Sequence, residues 1–107
     1  MTDGPVRDNP DLNRYEIADG GELGAFTEYR LHDTVADFVH TETVSGHEGR
    51  GLGSTLVRGA LDDARRRGWQ VRPFCAFVRG FIAKDPAYLD LVPVEERARF
   101  DLPEDPR

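Results

Sequence analysis

The sequence has little that would cross-link it or carry it through a membrane. One cysteine, Cys75, stands among 107 residues, which excludes an internal disulfide and is too few for a structural zinc site. No apolar run approaches the roughly 20 residues a membrane span needs. The opening MTDGPVRDNP lacks the apolar core of a secretion signal. Lysine is reduced to Lys84 against 13 arginines, a bias that points to a GC-rich, bacterial genome and not to a chemistry. Positive charge is in deficit as well: 14 Lys and Arg face 20 Asp and Glu, for a net charge of −6. That balance argues against a general nucleic-acid binder. What is present, 38% hydrophobic and 32% charged residues, suits one soluble globular domain, expected in the cytoplasm.

Residues 1–12 are polar, carry Pro5 and Pro10, and read as a loose arm. From Arg14 the pattern is strand-like, with Tyr15 and Ile17 alternating before an Asp19-Gly20-Gly21 turn. Leu23, Ala25, Thr27, Tyr29 and Leu31 share one face of a second strand. His32-Asp33 turns the chain into a third, from Thr34 to about Val44, and the three together read as an antiparallel meander. After a glycine-rich stretch, Leu52, Leu56, Val57, Ala60, Leu61 and Ala64 recur at helical spacing, and Gly68 sits where a left-handed cap is expected. Gly59 inside that helix costs about 1 kcal/mol against alanine and marks close packing on the sheet. Trp69–Phe74 predicts a fourth strand ending at Cys75, and Phe77, Val78, Phe81 and Ile82 a short helix stopped before Pro86. Tyr88, Leu89, Leu91 and Val92 close the core, and residues 93–107, polar and proline-containing, read as a tail or a marginal helix. The domain proper is thus expected over 13–92.

A strand, a glycine-rich loop (Ser45 to Gly53) and a helix make an arrangement suited to phosphate. Backbone N–H groups of the first helical turn, with the helix dipole, favour an anion, and glycine lets it come close. A nucleotide-triphosphate loop needs Gly-Lys-Ser/Thr, and no lysine follows Gly51. The dinucleotide fingerprint fails at Ser54, and the loop follows a meander instead of opening a β-α-β unit.

The stretch Glu48-Gly49-Arg50-Gly51-Leu52-Gly53 resembles the phosphate loop of the GNAT superfamily of acetyl-CoA-dependent N-acetyltransferases. Phe38-Val-His-Thr-Glu42, Gly49–Gly53, Arg72-Pro-Phe-Cys75 and Pro86–Val92 follow in the order of a small branch of acetyltransferase-like proteins, so the resemblance covers about residues 14–92. It implies an α/β fold: a mixed, mostly antiparallel sheet, a β-meander followed by a β-α-β-α half that binds coenzyme A. The implied co-substrate is acetyl-CoA, with no metal, and the implied reaction is direct acetyl transfer to an amine of a small molecule or a protein. On this resemblance the pyrophosphate meets Gly49, Arg50, Gly51, Leu52, Gly53 and Ser54, and the pantetheine runs beside Thr43 and Val44, pairing with free backbone groups there. One position departs from the pattern: Glu48 stands where Arg, Gln or Lys is usual. Like charge weakens binding there unless Glu48 turns outward and Arg50 supplies the positive charge.

Acetyl transfer needs a base for the amine and donors for the tetrahedral oxyanion. His40 and Glu42 alternate onto one face of the third strand, with Phe38 between them and its start. They read either as base and orienting carboxylate or as a His and a Glu hydrogen-bonded across neighbouring strands. Cys75 has three readings: an acyl-carrying nucleophile with His40 lowering its thiol pKa, a lining of the thioester pocket, or a small buried hydrophobe. Tyr88 lies beyond the position of the usual thiolate-protonating tyrosine and reads as core closure. His47 reads as solvated and Arg65–Arg67 as an exposed basic run. Only Asp19-Gly20-Gly21 separates the first two strands, so the acceptor side is open or completed by a second copy in a homodimer. The different-class alternative is a non-catalytic CoA-binding sensor or interaction module.

Overall fold

The computed structural model describes residues 6–104. A five-stranded sheet runs in chain order: β1 (Val6–Asn9), β2 (Arg14–Asp19), β3 (Glu22–His32), β4 (Val35–Thr43) and β5 (Gln70–Pro73). The first four form an antiparallel meander and β5 lies parallel to β4. Helix α1 (Leu52–Arg66) makes the crossover, and α2 (Ala76–Lys84) follows β5. The expected mixed, mostly antiparallel α/β architecture is the one observed.

The core lies between α1 and one sheet face. Leu56, Val57, Ala60, Leu61 and Ala64 are buried against Tyr15, Ile17, Ala25 and Phe38. A helix of this amphipathic spacing cannot persist alone in water, so that burial is what holds it. Its C-terminus closes as expected on Gly68, whose φ is +76°, with Trp69 N donating to Ala64 O at 2.9 Å.

Two regions differ from the sequence reading. Within the supposed arm of residues 1–12, Val6–Asn9 form edge strand β1, paired to β2 from Val6 opposite Ile17 to Asn9 opposite Arg14; residues 1–5 lie outside the described part. Its attachment explains Gly59: a Cβ there would sit 2.9 Å from the Cβ of Val6. Gly59→Ala should therefore destabilise the domain. The gain in helix propensity is about 1 kcal/mol, against an overpacking cost of about 1–3 kcal/mol. Thermal unfolding should fall by several degrees; a more stable variant would mean that β1 yields freely. The supposed tail is also packed as far as it is described. Phe100 and Leu102 are buried, Phe100 meets Phe74 edge-on at 5.1 Å, and buried Arg97 donates to Val92 O at 2.9 Å.

Candidate active site

The strands that frame the site part at a definite residue. β4 pairs with β5 only from Val35 to Phe38, the last link being Cys75 N to Phe38 O at 2.8 Å. β3 accompanies β4 on to Thr43. Among the described residues, no strand flanks that edge of β4 from Val39 onward, and α2 begins across the gap.

A bulge sits at the same place. Tyr29 faces Phe38 but Glu28 faces His40, so Val39 is surplus. Simple alternation therefore fails: Phe38 belongs to the core, whereas His40 and Glu42 stand on the opposite, outer face, half exposed. Thr41 and Thr43 face inward instead, opposite Thr27 and Ala25.

Two groups of side chains result. On the outer face His40 Nε2 lies 3.1 Å from Glu42 Oε1, with the Phe26 ring 6.2 Å from the imidazole and Glu28 opposite it. On the inner face, Thr41 Oγ1 lies 3.2 Å from Cys75 Sγ and 2.8 Å from buried Thr27 Oγ1. Cys75 thus meets Thr41, and not His40, the neighbour that its nucleophile reading called for. Sequence reading passed over Thr41 because a threonine in a strand carries no signal of its own. Cys75, only 8% exposed, also precedes α2 as its capping position.

The Val44–Gly51 loop joins β4 to α1, with positive φ at Gly46, Gly49 and Gly51. Among the described residues, and apart from the adjoining ones in the chain, no heavy atom lies within 4 Å of a Cβ built at any of the three. The first-turn N–H groups at Leu52, Gly53 and Ser54 have no side-chain cap at Gly51 and no acid beside them in the first turn. Gly53 has a different reason to be glycine, since a Cβ there would sit 2.8 Å from the Phe77 ring. Val44 corrects an expectation: its N–H donates to Gly24 O at 2.8 Å and its carbonyl accepts from His47 N at 3.0 Å, so neither is free for a ligand. Backbone direction alternates along an antiparallel ladder, so with Val44 turned toward β3, the groups of Thr43 point to the open edge.

Charge in the loop is already partnered. Glu48 folds back to accept from Gly46 N at 2.8 Å, and backbone N–H groups of Glu48 and Gly46 hold its carboxyl below the ordinary range. Arg50 stays largely exposed, with Nε 3.4 Å from Asp19 Oδ2. His47, read as solvated, is seated against the β2–β3 turn: Nδ1 is 2.7 Å from Asp19 Oδ2 and Nε2 is 3.2 Å from Glu22 Oε1. The Asp19 hydrogen bond raises the imidazole above its usual range, and Glu22 adds to it.

The remaining candidates are structural. Buried Tyr88 donates to Asp62 Oδ1 at 2.7 Å, and burial pushes its phenol up to about 12. Arg65 reaches Ala87 O and Asp90, while Arg67 binds Asp63 at 2.9 Å and Asp8 at 3.2 Å. Among the described residues, no helix is long and apolar enough to cross a membrane.

The architecture is shared with a GCN5-like candidate N-acetyltransferase of Staphylococcus aureus, solved in solution. The match has a TM-score of 0.63 at 22% identity and covers 87% of this chain and 91% of that one. The family described as GCN5-related N-acetyl-transferase matches residues 14–91, a span that includes the splayed strands, the glycine loop and Cys75. The chain belongs to the GCN5-related N-acetyltransferase family.

Proposed function

We propose that this protein binds acetyl-CoA and transfers its acetyl group directly to an amine. The observation that carries the reading is the uncapped, acid-free N-terminus of α1 behind a glycine loop, beside a β4 edge without a partner strand. Pyrophosphate would take the N–H groups from Gly49 to Ser54, with Arg50 as counter-charge. Pantetheine would pair with the outward backbone groups of Thr43. The thioester would then approach the gap between β4 and Cys75, which lines it with Thr41. His40, oriented by Glu42, is the candidate base on the outer face. The acceptor, a small-molecule or protein amine, would enter from that side. The first two strands are β1 and β2, not the pair around Asp19-Gly20-Gly21 expected from the sequence, and the short Pro10–Leu12 turn that joins them leaves the acceptor side open.

A second reading, a CoA sensor without catalysis, is favoured by two observations. Glu48 stands in the loop, and the Tyr88 phenol is engaged by Asp62 instead of being free for a departing thiolate. Thermal unfolding with CoA, acetyl-CoA, ATP and NAD in parallel tests binding. A ligand at 100 times its dissociation constant adds about 2.7 kcal/mol, a shift of several degrees at this size. Stabilisation by the CoA species alone supports the site; no shift, or an equal shift with ATP, rejects it. Thiol release from acetyl-CoA separates enzyme from sensor, with His40→Ala expected to slow release about 100-fold. Binding without thiol release would identify the sensor.

A further inference from the structure

We propose that His47 is a positioning residue for the glycine loop, a titratable clamp that seats the loop on the β2–β3 turn and keeps Arg50 available to an anion. The geometry is that of one imidazole bridging two carboxylates from two strands. Asp19 ends β2 and Glu22 begins β3, and the His47 side chain between them is only 14% exposed. Arg50 competes for the same Asp19 oxygen, but at 3.4 Å and with its side chain 61% exposed. An imidazolium that satisfies Asp19 leaves the guanidinium free to turn toward the α1 N-terminus. When His47 loses its proton it keeps a single N–H, so it can hold only one of the two carboxylates. Asp19 then keeps only Arg50 as a cationic partner, and the loop's tie to the hairpin weakens.

The charged groups facing His47 are Asp19, Glu22 and, within its own loop, Glu48 and Arg50. Asp19 is held below its ordinary range chiefly by the His47 hydrogen bond, and His47 is held above its own. A histidine with a raised folded-state pKa contributes stability that is complete below its unfolded value of about 6.5 and is lost as pH rises through the folded value. Asp19 works in the opposite sense: its contribution is lost as pH falls through its lowered value. The clamp is therefore closed between the two and opens on the alkaline side.

Two readouts test it. The first is amide-exchange protection of Val44 and Gly46, whose N–H groups donate to Gly24 O and to Glu48, in the ligand-free protein, corrected for intrinsic exchange, from pH 7 to 9. Wild type should lose protection over this range, His47→Gln should be low throughout, and His47→Lys, a cation at every pH used, should stay high. The second rests on the CoA reading above: wild-type affinity for CoA should fall about fivefold more across the range than that of His47→Gln, which reports the ligand's own titration. Parallel profiles of wild type and His47→Gln in both readouts would overturn the clamp. If CoA binds at no pH, the CoA reading falls, and loop protection alone decides the clamp.

Discussion

Gly51→Val should bind CoA at least about 30-fold more weakly than wild type, a loss of about 2 kcal/mol, while keeping its secondary structure. Gly51 has φ of +71° with open space where a Cβ would point, so the substitution meets no clash in the folded chain. Its penalties lie elsewhere. A β-branched residue at positive φ costs about 1–3 kcal/mol, which the loop relieves by rotating the peptides that precede α1. The isopropyl group would also occupy the cradle that phosphate needs. Calorimetric titration with CoA, beside a far-ultraviolet dichroism spectrum, separates the two penalties. Wild-type affinity in a folded variant would place CoA elsewhere or nowhere. Gly53→Ala is the informative contrast: its Cβ would press on the half-exposed Phe77 ring, so its defect begins at α2 and not at the phosphate.

Asp63→Ala should produce the largest loss of stability, about 2–4 kcal/mol, lowering the melting temperature by about 8 °C or more at about 4–8 °C per kcal/mol. The carboxylate is 7% exposed and holds three groups together. Tyr15 donates to it at 2.6 Å from the centre of the sheet, Arg67 at 2.9 Å, and Arg66 from the next turn. Burial pushes the Tyr15 phenol well above its ordinary range, so it remains a donor at every accessible pH. Truncation leaves a buried hydroxyl without an acceptor and unties Arg67, which also reaches Asp8 on β1. Asp63→Asn keeps an acceptor for Tyr15 and should lose roughly half as much. Equal melting temperatures for Asp63→Ala and wild type would show that the hydroxyl finds water and that β1 holds without this tie.

Elements that bury a periodic face were legible in the sequence. The α1 stripe, the β2–β4 meander and the Gly68 cap each follow from local pattern. β1 was hidden because Val6 is its one buried apolar residue, surrounded by Arg7, Asp8 and Asn9; the clue to it lay in Gly59, which marked a close neighbour without naming it. The packed segment beyond Val92 was hidden because Phe100 and Leu102 are scattered among charges. At the site, the glycine loop and the pairing of His40 with Glu42 could be read. The Thr41–Cys75 contact could not, since it depends on where β4 and β5 part, and the His47 bridge depends on a hairpin turn 25 residues and more upstream. Local pattern reports which face a residue prefers, whereas such contacts belong to topology.

Val39 changes how the gap between β4 and β5 is understood. Deleting it would restore regular alternation with His40 still outside and Thr41 still inside; with Val39 in place, the bulge is what keeps the two on those faces. What a surplus residue adds is curvature, introduced at the point where pairing to β5 stops. The opening is thus cut into the main chain itself. Enlarging or shrinking nearby side chains can narrow or widen its walls, but the opening itself follows the main chain, which leaves its pairing with β4 after Pro73 to enter α2.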